Sequence, residues 1–96
     1  MSRNEINDII LDYLKDYNPR FIGLFGSYAR EEHTNKSDID ILVAFGNGIS
    51  LLKLVRLENE LSERLGIKVD LITEGSVINK SLKDNISKDL QVIFQA

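Results

Sequence analysis

The chain has 96 residues, 43% of them apolar and 7% aromatic, enough for one small domain with one modest core, and small enough that an oligomer or a partner would help its stability. Its net charge is −3 with no block of Lys or Arg, which argues against a module that coats DNA or RNA and leaves room for a nucleotide held through a cation. There is no cysteine, so disulfides, thiolate zinc sites and cysteine nucleophiles are excluded together.

The first dozen residues are polar and acidic where a signal peptide needs an apolar core, and no apolar run approaches the length of a membrane span. A soluble cytoplasmic protein is the expectation. Ile6, Ile9, Ile10, Tyr13, Leu14 and Tyr17 recur at spacings of three and four, predicting an amphipathic helix over 5–17 with Asn4 as its cap. Asn18-Pro19 ends it, because proline pushes the preceding residue out of the helical region.

The run Phe21-Ile22-Gly23-Leu24-Phe25 reads as a buried strand, broken by Gly26-Ser27, after which a short helix could start at Tyr28. A polar loop over 33–36 leads to a second strand over 37–45, closed by the turn Gly46-Asn47-Gly48. Ser50 caps a helix whose apolar positions run from Leu51 to Leu65, and Gly66 stops it. A third strand follows over 67–73. Ile86, Leu90, Ile93 and Phe94 then predict a closing helix that covers the sheet. The sum is one α/β or α+β domain over 1–96, a small mixed β-sheet of three or more strands packed with helices.

Two features carry chemistry. Side chains two apart on a strand share a face about 6.5–7 Å apart, so Asp38 and Asp40 project together while Ile39 and Ile41 go to the other side. Two carboxylates so placed repel one another unless a cation sits between them, and magnesium prefers such oxygen ligands. Asp70 points away from Ile67, Val69 and Leu71; if its strand neighbours the second, three carboxylates converge on one patch. That is the ligand set of a two-metal phosphoryl-transfer site, with Asp70 nearest an acceptor and the candidate general base.

Gly26-Ser27 supplies the complementary half. Glycine lets the backbone approach a phosphate, and a helix start beyond it offers free N–H groups. The Ser27 hydroxyl and the Arg30 guanidinium are candidate ligands of the triphosphate. Each feature also has a plainer reading. Asp38 and Asp40 alone would suit the solvent side of an edge strand, Asp70 an ordinary surface site, and Arg30 a salt bridge. His33, the single histidine, has no partner at metal or triad spacing and reads as a solvated loop residue.

Taken together, Gly26-Ser27, ten residues, then Asp38-Ile39-Asp40 resembles the signature of the DNA polymerase beta-like nucleotidyltransferases. A chance match to those four letters at that spacing arises on the order of once in a thousand chains of this length, so the pattern is a specific one. The fuller strings Gly26-Ser27-Tyr28-Ala29-Arg30 and Ser37-Asp38-Ile39-Asp40-Ile41-Leu42-Val43 resemble the minimal nucleotidyltransferase branch, as does Val69-Asp70-Leu71. One departure is Glu31, where many relatives carry glycine; it adds negative charge near the phosphates.

The resemblance implies the polymerase beta-like core, a mixed sheet with helices on one side, and Mg²⁺-dependent transfer of a nucleoside monophosphate, AMP from ATP foremost. It also implies a biological role. Stand-alone members of this size pair with a HEPN-domain ribonuclease toxin and act as antitoxins, commonly by adenylylating a toxin tyrosine. Two other readings stand beside it: a binding module that neutralises its toxin by contact alone, and transfer to a small molecule such as an aminoglycoside, for which the chain has no room for an acceptor-cradling domain.

Overall fold

The computed structural model describes residues 2–26, 38–76 and 80–96. Helix α1 spans Arg3–Leu14, and its cap is Ser2 rather than Asn4. The Ser2 hydroxyl accepts from the Glu5 N–H at 3.2 Å while the Glu5 carboxylate accepts from the Ser2 N–H at 3.3 Å, a reciprocal pair that sets the cap two residues before Asn4. A 3₁₀ turn, Lys15–Tyr17, tightens the exit, and Asn18 takes the left-handed conformation, φ 56°, that turns the chain into strand β1, Pro19–Phe25.

Strand β2, Ile39–Phe45, lies antiparallel to β1. Helix α2, Leu51–Leu65, starts at Ser50, whose hydroxyl accepts from the Lys53 N–H, and stops at Gly66 with φ 67°, both as the sequence predicts. It is the crossover that a parallel pair requires, and strand β3, Val69–Thr73, returns parallel to β2. A 3₁₀ turn, Glu74–Ser76, precedes helix α3, Lys80–Asp89. The chain then enters a fourth strand, β4, Gln91–Gln95, antiparallel to β1. The sheet order is β3-β2-β1-β4. The expected closing helix is therefore half right: Ile86 is helical, but Ile93 and Phe94 belong to an edge strand. Leu90 sits between the two elements, and a helix-like spacing continued into a strand only because four apolar residues are too few to fix a period.

Alternation along the strands builds two apolar layers. Ile22, Leu24, Ile39, Ile41, Val43, Val69 and Leu71 face α1 and α2 and form the main core with Ile10, Leu14, Leu57 and Leu61, each fully buried apolar side chain contributing about 1.5–3 kcal/mol. On the opposite face Phe25 and Leu42 pack with Ile86 of α3, flanked by Phe21, Ile72 and Leu90. The expectation of helices on one side is thus corrected: α1 and α2 cover one face and α3 part of the other. Among the described residues no helix is long and apolar enough to cross a membrane.

Candidate active site

The second face is where the polar chemistry lies. Because Ile39, Ile41 and Val43 point into the main core, Asp40 shares its side of β2 with Leu42; by the same alternation Asp70 shares its side of β3 with Ile72. The parallel register sets Asp40 directly beside Asp70, and the antiparallel register sets Phe25 on the other side of Asp40. The row Phe25–Asp40–Asp70 crosses the sheet where β1 ends and where β2 and β3 begin.

Gly26 follows immediately. It has φ 76°, a conformation that costs any side-chain-bearing residue strain, and a Cβ built on it would stand 2.3 Å from Oδ2 of Asp40. The glycine therefore does more than turn the strand: it leaves the volume that the Asp40 carboxylate fills. Asp38 precedes β2, in a segment held to the start of β3 by the Ile39 N–H donating to the Lys68 carbonyl at 2.9 Å. Its Oδ2 is 3.9 Å from Nζ of Lys68, an exposed and hence weak ion pair. Lys68 was absent from the sequence-based site, although the alternation that put Asp70 on this face puts Lys68 there too.

Of the other predicted site residues, Ser27 and Arg30 lie outside the described residues, as do the short helix from Tyr28, Glu31 and His33. Among the described residues no group of three or more His, Cys, Asp or Glu side chains comes together to hold a metal ion. The expected convergence of three carboxylates is therefore reduced to a registered pair, Asp40 and Asp70, with Asp38 beside Lys68. As a donor set the pair is all oxygen and suits a hard divalent cation that takes its remaining ligands from phosphate and water.

The strand that carries Asp70 is held from its outer edge. The Val69 N–H donates to the Ser62 hydroxyl at 2.9 Å and the Leu71 N–H to Oε2 of Glu58 at 2.8 Å, while Ser62 donates to the Glu58 carbonyl at 2.8 Å. Two side chains of α2 thus occupy the edge donors on either side of Asp70, fixing the strand without a fifth β partner.

Comparison with known proteins gives a consistent set. A model of the family described as polymerase beta, nucleotidyltransferase matches residues 8–96. A chain of Methanocaldococcus jannaschii, a candidate protein adenylyltransferase, is 50% identical over 91 residues, which cover 91% of this chain and 93% of that one. The protein adenylyltransferase MntA of Thermococcus cleftensis is 42% identical over 92 residues, covering 92% and 88% of the two chains. A chain in the crystal structure of a toxin–antitoxin pair with AMP-PNP superposes with a TM-score of 0.84 at 25% identity, over 94% of this chain and 73% of its own.

Proposed function

This chain belongs to the polymerase beta-type nucleotidyltransferases, and from that premise we propose that it is a Mg²⁺-dependent protein adenylyltransferase that acts as the antitoxin of a HEPN-type toxin. The observation that carries the chemistry is the Asp40–Asp70 pair in register beside Gly26. The adenylyl group and the toxin partner are supported by the relatives: two are protein adenylyltransferases by name, one of them a candidate, and a third is part of a toxin–antitoxin pair that holds AMP-PNP.

The registered pair Asp40 and Asp70 would hold the magnesium, with Asp38 just before β2 as the third candidate ligand; when bound, the ion supplies positive charge against the phosphates and eases ionisation of the attacking hydroxyl. Asp70 takes the proton of the acceptor hydroxyl as that oxygen bonds to the α-phosphorus. The bond from the α-phosphorus to its bridging oxygen breaks and pyrophosphate leaves. The Ser27 hydroxyl and the Arg30 guanidinium take the triphosphate oxygens. A domain of this size leaves the acceptor to complete the site, so a partner protein, held in place, provides the orientation on which the rate depends.

The test is transfer of label from each α-³²P NTP, with Mg²⁺, onto proteins of a host lysate, comparing wild type with Asp40→Asn. A band labelled from ATP by wild type alone supports the proposal and yields the acceptor for identification. No label from any NTP, by a chain that still retains a partner on a column, would replace it with neutralisation by contact.

A further inference from the structure

A lysine stands at the head of the carboxylate face. The first registered pair of β2 and β3 is Ile39 with Val69, and both side chains point into the main core. One residue earlier stand Asp38 and Lys68, and one residue later Asp40 and Asp70. By alternation these four side chains fall on the same side of the sheet. The Ile39 N–H donates to the Lys68 carbonyl at 2.9 Å, which fixes the two backbones where Asp38 and Lys68 face each other. Nζ of Lys68 lies 3.9 Å from Oδ2 of Asp38, with the two side chains 72% and 41% exposed. The four positions thus carry three carboxylates and one ammonium.

We propose that Lys68 is the resident counter-cation of the metal site, holding Asp38 in the metal-free chain and opposing magnesium that arrives without a nucleotide; this rests on the reading of the chain as a nucleotidyltransferase. The pair lies at the outer limit of an ion pair and is exposed, so it shifts an equilibrium by about fivefold at most and yields without unfolding anything. A buried pair would resist that exchange, because breaking it leaves an uncompensated charge. The ammonium stays close after it yields. Its backbone is pinned two residues from Asp70, within reach of any ion that the carboxylates share. A unit charge about 6 Å from a divalent ion, with water between them, weakens the binding of that ion about tenfold at low salt. A nucleotide changes the sum. Its triphosphate brings the negative charge that the ammonium then faces, and the penalty on the metal is offset. Magnesium therefore loads with the nucleotide rather than ahead of it.

The experiment measures binding of Mg²⁺ alone, and of ATP with Mg²⁺, by titration calorimetry on the intact chain and two variants. Lys68→Met keeps the stem and removes the charge, while Lys68→Arg keeps the charge. The residue is exposed, and a cooperative melt of each variant confirms folding. Lys68→Met is expected to tighten Mg²⁺ alone about three- to tenfold at about 0.01 M salt, with the gain fading toward about 1 M salt. Lys68→Arg should match wild type, and neither variant should gain affinity for ATP with Mg²⁺. No gain of Mg²⁺ affinity in Lys68→Met overturns the proposal. So does an equal gain with and without ATP, which would make the ammonium indifferent to the nucleotide, or a gain that salt does not reduce. Failure of the wild type to bind ATP with Mg²⁺ at all is a different result: it removes the nucleotidyltransferase reading, and the counter-cation with it.

Discussion

Gly26 and Asp40 share one volume: the position a Cβ would take on Gly26 is 2.3 Å from Oδ2 of Asp40. Gly26 cannot gain a side chain without moving the Asp40 carboxylate. Gly26→Ala meets two penalties, about 1–2 kcal/mol for a left-handed backbone and the displacement of the carboxylate. Gly26→Ala is expected to lower Tm by several degrees, on the scale of 4–8 °C per kcal/mol for a domain this size, and to lower AMP transfer by about a hundredfold or more. Activity that follows stability alone, recovering fully at low temperature, would show that the carboxylate had not been moved.

Asp40 and Asp70 stand side by side on parallel strands, two like charges that a cation would reconcile. Magnesium should therefore raise the Tm of the wild-type chain relative to EDTA. In Asp40→Asn the rise on adding Mg²⁺ should shrink and AMP transfer should be lost. Thermal melts of both proteins with and without Mg²⁺ decide it. An equal magnesium response in the two proteins would take Asp40 out of the metal site.

What the sequence disclosed and what it withheld follow from the range of the interactions concerned. The caps Ser50 and Gly66 and the apolar face of α1 are local patterns, and the structure has them where the sequence predicts; of the apolar positions expected on α2, Leu57, Leu61 and Leu65 are buried while Leu51 and Val55 are exposed. Asp40 and Asp70 were placed on the polar side of their strands by alternation alone. Their register was not legible, because it depends on the crossover returning β3 parallel to β2. The edge strand β4 was missed for a similar reason: Ile93 and Phe94 continue a helix-like spacing from Ile86, and only the free side of β1 makes them a strand. Gly26 was singled out for phosphate approach, while its contact with Asp40 spans fourteen residues of chain that no local rule connects.

Glu58 is a positioning residue for Asp70. Its carboxylate accepts from the Leu71 N–H at 2.8 Å, and Ser62 accepts from the Val69 N–H at 2.9 Å, so the peptide groups flanking Asp70 are held by α2. Glu58→Ala leaves a part-buried donor unmet and should cost about 1–3 kcal/mol of stability. Glu58→Gln keeps an acceptor oxygen and should recover most of it. Amide exchange of Leu71 by NMR gives the readout: it should accelerate in Glu58→Ala and return toward wild type in Glu58→Gln. If the Leu71 amide exchanges equally in all three, α2 does not secure this strand.

Tyr13 and Glu60 tie α1 to α2 across the main core, the tyrosine hydroxyl donating to the Glu60 carboxylate. Burial, and then this hydrogen bond, push the Tyr13 hydroxyl above its ordinary value of 10.0, and the hydrogen bond from Tyr13 holds Glu60 below its ordinary value of 4.5. The neutral tyrosine is thus favoured by the folded state. Its contribution is complete below pH 10.0 and is lost as the pH climbs above it, because the unfolded chain then releases a proton that the folded chain retains. Glu60 behaves in the opposite sense, contributing above pH 4.5 and losing that contribution as the pH falls further. Tyr13→Phe removes the bond and should lower stability by about 1 kcal/mol near neutral pH. The Tm difference between wild type and Tyr13→Phe should therefore narrow on going from about pH 8 to about pH 11. A difference that stays constant over that interval would mean that the hydroxyl does not link folding to its proton.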